Sequence, residues 1–329
     1  MKTIGIIGSG AFGTAMATVA ARAGRTVTIW SFERDVVDEI NSHHTNDTYL
    51  NGVPLDPNIR ATTDFDEVCK TDAVLIAVPT VHLRSVISQA AAYWTPGVPA
   101  LICSKGVERD TCKLMSEVVR DCLGPDAIIA TMSGPTFAAE ISRDLPAATL
   151  VACPDIEVAE RLAKALTSPR FRTYASDDII GAQLGGATKN VLAIACGIVT
   201  GKGLGDNARA ALITRGLAEI NALGLVLGAH SHTLMGLSGL GDLTLTCNAM
   251  QSRNFSVGYR LGQGETLEHI LAGRKTIAEG VHNAATVAEL ARRNQVDMPI
   301  CLAVEAILNV NADLDAIIHG LLSRPLVKE

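Results

Sequence analysis

A chain of 329 residues has room for two domains of about 100–200 residues each, and with 48% hydrophobic against 19% charged residues it can bury a large core. Its formal net charge of −6 argues against a nucleic-acid binder, which would carry a basic stripe. Small anionic substrates are not excluded, because a few local Lys or Arg can dominate one cleft.

In chain order, Thr3–Ile7 reads as a strand rather than the apolar part of a secretory leader. Ala11–Ala23 reads as a helix closed by Gly24, and Val27–Trp30 as the next strand. Further strands are expected at Ala73–Val78, Ala100–Cys103 and Ala127–Thr131, with helical stretches between them such as Val81–Ala92 and Cys112–Cys122. Strands alternating with helices predict an α/β fold, a doubly wound and mainly parallel sheet covered on both faces. Ala148–Ala152 and Phe171–Tyr174 are candidates for added edge strands.

After about Asp177 the β-branched runs give way to long helical stretches: Ile179–Thr200, Asn207–Leu227, Thr266–Ala272, Thr286–Arg293 and Ile300–Leu308. Ser176-Asp177-Asp178 offer N-cap residues. The boundary is placed there, giving a nucleotide-binding domain over 1–176 and an all-α domain for substrate and catalysis over 177–329. From Ile179 to Gly201 the only charge is Lys189. A bilayer span needs about 20 apolar residues, but Gln183, Thr188, Lys189 and Asn190 lie near the middle, so a buried core helix is expected and no stable membrane insertion. The eight cysteines, at 69, 103, 112, 122, 153, 196, 247 and 301, form no C-x-x-C pair. They read as small core hydrophobes in a reducing cytoplasm.

Gly8-Ser9-Gly10-Ala11-Phe12-Gly13 fits G-x-G-x-x-G, with a strand before it, a helix after it and a second strand following. That context predicts a Rossmann-type site. Gly8 permits the tight turn, Gly10 lets a pyrophosphate approach the backbone, and Gly13 lets helix and strand pack closely. The alternative is a glycine turn in a cofactor-free domain. Glu33, twenty positions after Gly13, can accept hydrogen bonds from the adenosine ribose and so favours NAD. Arg34 beside it could favour NADP, and Glu33 could equally be a solvated carboxylate at a helix start.

Ligands of open α/β sheets bind beyond the carboxyl ends of the strands. The residues there are polar or glycine: Ser31-Phe32-Glu33, Pro79-Thr80, Ser104-Lys105-Gly106 and Ser133-Gly134-Pro135-Thr136. Lys105 could hold a substrate oxygen or phosphate as a point charge, or be a surface lysine. Gly134-Pro135-Thr136 looks like a helix start whose N–H groups could receive substrate oxygens.

Lys189 is the most informative residue of the second half. An ammonium is costly to desolvate, so its place in an apolar helix suggests a proton donor and acceptor. The alternative is a lysine that snorkels or pairs with a carboxylate. Asp242, in Ser238-Gly239-Leu240-Gly241-Asp242, could pair with a lysine, and Thr246 would share its helical face. Ser252-Arg253-Asn254 offers a guanidinium suited to a phosphate, and Glu279 brings another carboxylate in a turn. His230-Ser231-His232 and His43-His44 lack partners at zinc spacing, so no metal is expected.

Together, GSGAFGTAMA at the first turn, VPT at 78–80, CSKG at 103–106, SGPTFAAE at 133–140, GGATKN at 185–190, GDNARAALITRGLAEI at 205–220, GLGDLTLTC at 239–247, SRN at 252–254 and AEGV at 278–281 carry a resemblance over almost the full length. The chain resembles the soluble, bacterial-type NAD(P)-dependent glycerol-3-phosphate dehydrogenases. The resemblance implies NAD or NADP as cofactor and reversible reduction of dihydroxyacetone phosphate to sn-glycerol 3-phosphate for phospholipid synthesis. It implies Lys189 as the catalytic acid and base. It implies substrate contacts from Lys105, Gly134, Thr136, Asp242, Ser252, Arg253 and Asn254, and cofactor contacts from Ala11, Phe12, Lys105, Ala138, Arg253 and Glu279. It also suggests a homodimer. Two departures stand out: Ala11-Phe12 where the family often has Ser-Trp, and Phe32-Glu33 where many members carry basic residues, which puts NADP preference in doubt. Rival readings are a reductase of the same plan acting on a carboxylate substrate, and a non-catalytic NAD(H)-binding sensor.

Overall fold

Short β-branched runs with buried residues on both sides build the sheet. The computed structural model describes residues 1–272, 278–310 and 312–325. Its strands are β1 (Thr3–Ile7), β2 (Thr26–Trp30), β3 (Arg60–Thr62), β4 (Ala73–Ile76), β5 (Ala100–Ile102), β6 (Ile129–Ser133), β7 (Ala147–Ala152) and β8 (Phe171–Ser176). They lie in the order β3-β2-β1-β4-β5-β6-β7-β8. All neighbours are parallel except β6 and β7.

The alternation of side chains explains why both faces are covered. Ile4, Ile6, Val27, Ile29, Leu75 and Leu101 enter one apolar core, while Ile7, Trp30, Val74, Ile76, Ala100 and Ile102 enter the other. Each fully buried Val, Leu or Ile contributes about 1.5–3 kcal/mol, so a sheet buried on both faces reads as continuous apolar runs. The reversal of strand order between β1 and β4 puts the glycine turn after β1 at a topological switch point, where such sheets bind ligands.

Beyond Ser176 every regular element among the described residues is helical. The helix Ile179–Gly201 is long and apolar enough to cross a membrane, yet 89% of its most apolar window is buried inside the protein. It is therefore a core helix. Close backbone approaches explain glycines on this helix and on the one packed against it. A Cβ on Gly197 would run into the Phe255 carbonyl, one on Gly201 into the Tyr259 carbonyl, one on Gly258 into the Ile194 carbonyl, and one on Gly262 into the Ile198 carbonyl. Two small-xxx-small faces thus let Ile179–Gly201 and Arg253–Gly262 touch backbone to backbone. The chain divides into one unit of Met1–Glu108 with Lys113–Gln183 and another of Arg109–Cys112 with Leu184–Glu329.

Several elements differ from the sequence reading. Strand β3 was not anticipated: it is three residues long, and Ala61 is its only apolar side chain. The segment Ala148–Ala152 lies in β7 between β6 and β8, so only β8 is an edge there. The stretch Cys112–Cys122 becomes helical only at Met115, because Cys112 takes a left-handed conformation (φ +58°) beside the bridge between Val107 and Leu114. The helix expected at Gly134-Pro135-Thr136 starts at Ala138 and spans four residues. The helix Arg34–His43 escaped notice because only Val36, Val37 and Ile40 of its ten residues are buried.

Glu219 was also missed. It is buried on the helix Asp206–Val226, where its two carboxylate oxygens accept the amides of Ile300 (2.7 Å) and Cys301 (3.1 Å) at the start of Pro299–Asn309. Burial pushes its carboxyl from 4.5 up to about 7, although the two amides pull it back. The folded state thus favours the protonated form. Its stabilisation is complete below pH 4.5 and is lost as pH rises through about 7, a change of about 3 kcal/mol. Glu219→Gln should not show this loss. The urea midpoint of the wild type, measured against the variant, is expected to be higher at pH 5 than at pH 8. A constant difference across that range would count against the burial argument.

Candidate active site

Within the first unit, the glycine turn is fixed from behind. The Gly8 amide donates to the Trp30 carbonyl (3.0 Å), and Gly8 sits at φ +113° against Ala77 and Val78. A Cβ on Gly13 would enter the Gly8 carbonyl, so the helix Ala11–Arg22 rests directly on the turn. A Cβ on Gly10 would meet nothing, and no side chain caps the helix that begins at Ala11. The protein leaves Gly10 without a side chain in open space, beside helix-start amides that favour an anion. That geometry fits a dinucleotide pyrophosphate, with Ala11 and Phe12 in the first turn of the helix.

A polar layer outside the fingerprint holds this turn. Thr14 Oγ1 donates to the Ser9 carbonyl (2.9 Å), and Asn46 Nδ2 donates to both the Ser9 carbonyl and Thr14 Oγ1 (2.8 Å each). Ser9 and Ser31 hydroxyls meet at 2.6 Å. Glu33 precedes the helix Arg34–His43 without capping it by its side chain. Its oxygens accept from Tyr49 Oη (2.7 Å) and Ser31 Oγ (3.2 Å). Asn46 and Tyr49 were missed because a lone Asn or Tyr in a connection carries no local pattern. Arg34 is exposed at the start of its helix.

Lys105 and Gly134, which follow β5 and β6, meet. Lys105 Nζ and Thr136 Oγ1 both donate to the Gly134 carbonyl at 3.1 Å. Gly134 lies flat on Thr149, whose Cα would be 2.9 Å from an added Cβ. Ala138 is the first residue of the short helix that follows. Burial pushes the neighbouring Cys103 thiol up to about 12, which keeps it protonated and out of any nucleophilic role.

Within the second unit, Lys189 is 8% exposed and Asp242 fully buried. Lys189 Nζ donates to Asp242 Oδ1 at 2.5 Å and to Thr246 Oγ1 at 3.1 Å. Asp242 and Thr246 lie one turn apart on Asp242–Asn248, as the i, i+4 spacing implied, and Thr246 also donates to the Asp242 carbonyl. Gly185 brings this region close, since a Cβ there would run into the Ser238 carbonyl. Burial and the adjacent Cys196 raise the Cys247 thiol well above its ordinary range.

Ser252 caps Arg253–Gly262 by accepting the Phe255 amide (3.3 Å), leaving Arg253 exposed at the helix start. Asn254 is buried and engaged inside the protein. It donates to Asn190 Oδ1 and accepts the Gly280 amide, both at 2.9 Å. It thereby joins three helices next to Lys189, through a residue, Asn190, that the sequence reading had not assigned to the site. Glu279, half-buried, opens the helix Glu279–Arg293. The His230 and His232 rings stack at 5.3 Å, and among the described residues no group of three His, Cys, Asp or Glu could hold a metal ion.

Residues 3–159 match the family described as NAD-dependent glycerol-3-phosphate dehydrogenase N-terminus, and residues 178–319 match its C-terminus. A glycerol-3-phosphate dehydrogenase (NAD(P)+) of Rhodospirillum rubrum is 52% identical over 324 residues, covering 98% of this chain and 93% of that protein. One of Caulobacter vibrioides is 51% identical over 328 residues, covering 100% and 99%. The crystal structure of the glycerol-3-phosphate dehydrogenase of Coxiella burnetii superposes with a TM-score of 0.93 at 38% identity, covering 98% of this chain and 99% of that one.

Proposed function

The chain belongs to the NAD-dependent glycerol-3-phosphate dehydrogenase family, and on that footing we propose that Lys189 exchanges the proton in the reversible reduction of dihydroxyacetone phosphate to sn-glycerol 3-phosphate. The cofactor is NAD or NADP, and the reaction supplies glycerophospholipid synthesis. The observation that carries the role of Lys189 is its buried pairing with Asp242, on a helix with no other charge.

When bound, the reduced nicotinamide supplies the hydride to the ketone carbon. Gly8, Gly10, Gly13 and the amides at Ala11 and Phe12 bind the pyrophosphate. The Lys189 ammonium donates a proton to the substrate oxygen as it becomes an alkoxide, and in the reverse direction the amine takes that proton back. Asp242 and Thr246 aim the ammonium, which desolvation would otherwise disfavour. Arg253 grips the phosphate, Ser252 fixes the helix start that presents it, and Asn254 holds that helix to Asn190. Lys105, Gly134 and Thr136 receive substrate oxygens, while Ala138, Glu279, Lys105 and Arg253 contact the cofactor. Residues 1–176 carry the dinucleotide-binding turn and 177–329 carry the catalytic lysine. The oxidation of NADH and NADPH, followed by absorbance with dihydroxyacetone phosphate, tests the whole reading. No turnover with either cofactor would end it.

Arg253 gives a separable test. Arg253→Ala is expected to raise KM for dihydroxyacetone phosphate by about tenfold or more, the value of one charge-assisted contact of about 1.5–3 kcal/mol, with a much smaller change in kcat. An equal loss for dihydroxyacetone, which lacks the phosphate, would contradict the assignment. The protein acts as a cytoplasmic homodimer. All eight cysteines are free and seven are buried, which suits a reducing compartment. The exposed Leu225, Val226 and Met235 support association, and sedimentation would test it.

A further inference from the structure

We propose that Tyr49 and Ser31 lock Glu33 in place and thereby make this chain selective for NAD(H) over NADP(H), a step that rests on the cofactor assignment above. A carboxylate at the end of the second strand discriminates against a ribose 2′-phosphate only if it stays there. A free glutamate with three rotatable bonds would swing into solvent at little cost, and its repulsion would be screened. Here both oxygens are tied: Oε1 by the Tyr49 hydroxyl at 2.7 Å and Oε2 by the Ser31 hydroxyl at 3.2 Å. Ser31 is itself buried and bonded to Ser9 of the glycine turn.

The tether explains more than a solvated helix-start carboxylate would. Glu33 makes no side-chain cap to the helix it precedes, so its oxygens are not committed to helix amides. The Tyr49 hydroxyl is held above its ordinary pKa chiefly by the hydrogen bond to Glu33. It therefore remains a donor. Each carboxylate oxygen has two acceptor sites, and one donor on each leaves a second site for a ribose hydroxyl. A 2′-phosphate brings only negative charge and acceptors to the same place. The connection that carries Tyr49 also carries Asn46, which holds the Ser9 carbonyl and Thr14. One short segment thus fixes both the turn and the carboxylate. Phe32, beside Glu33 and 83% exposed, offers an apolar ring and no charge to a phosphate. Arg34 is the one cation in this stretch, and Asp35 and Asp38 stand next to it and one turn on from it along the same helix. Tyr49 is a positioning residue in this scheme.

The test is direct titration of the protein with NADH and with NADPH, read by nicotinamide fluorescence, so that binding is measured apart from turnover. The wild type is expected to bind NADH about tenfold or more tightly than NADPH, a difference of about 1.4 kcal/mol. Glu33→Ser leaves Arg34 in place and should bring the two dissociation constants to within about threefold. Tyr49→Phe keeps the carboxylate but removes the shorter of its two tethers, and should narrow the ratio by about threefold or more, a change that loss of packing alone would not make. Equal or tighter NADPH binding by the wild type would overturn the inference while leaving the cofactor site intact, as would an unchanged ratio in both variants. Binding of neither dinucleotide would overturn the cofactor assignment, and this inference with it.

Discussion

Lys189→Ala is expected to lower kcat by about two to four orders of magnitude, the range that a positioned acid or base supplies, while the dissociation constant for the cofactor stays near the wild-type value. The variant carries a structural cost that must be separated from the chemical one. Asp242 is fully buried and would lose the ammonium 2.5 Å away. Removing one partner of a buried pair costs about 3–5 kcal/mol. Lys189→Ala should therefore melt several degrees earlier as well as turn over slowly. The double variant Lys189→Ala with Asp242→Asn removes the buried carboxylate charge as well. Its melting temperature is expected to recover most of the loss while kcat stays low. Recovery of both together would mean that the lysine is needed only to hold the fold.

Gly258→Ala is the second large effect. The intrinsic helix preference for Ala over Gly is about 1 kcal/mol in favour of the variant. Against it stands the Ile194 carbonyl, into which the new methyl would run. That neighbour is backbone of a 23-residue buried helix and cannot rotate aside. Over-packing of this kind costs about 1–3 kcal/mol, and here whole helices must separate, so net destabilisation is expected. Gly197→Ala, opposed by the Phe255 carbonyl, should behave the same way. Gly320 supplies the control. It sits within the helix Leu314–Leu322, where a Cβ would meet nothing within 4 Å, so Gly320→Ala should stabilise by up to about 1 kcal/mol. Urea unfolding of the three variants decides it: stabilisation by all three would refute the close approach. Because Lys189 rides on the same helix as Gly197, a shift there is also expected to lower kcat.

The parts of this molecule written in local patterns could be read in advance. The glycine turn declares itself through fixed spacing between a strand and a helix, and the mainly parallel sheet through apolar runs alternating with helices. Lys189 stands out because a charge in an apolar helix needs a reason, and the pairing of Asp242 with Thr246 follows from helical spacing. Other features depend on what meets across the fold. Strand β3 is three residues long with a single apolar side chain, and pairing with β2 alone makes it a strand. The antiparallel turn into β7 has no local marker. Glu219 looks like any helix carboxylate until its oxygens meet Ile300 and Cys301, eighty-one and eighty-two residues on. Asn46 and Tyr49 are ordinary connection residues until they reach Ser9 and Glu33. The glycines at 197, 201, 258 and 262 were visible, but their partners were not.

Rescue of the missing amine tests the central claim most directly. With Lys189→Ala saturated in cofactor and dihydroxyacetone phosphate, added primary amines should raise the oxidation rate of the reduced nicotinamide in proportion to their concentration, and more basic or more acidic amines should differ in effectiveness. Turnover by the unsupplemented variant close to that of the wild type would show that some other group moves the proton.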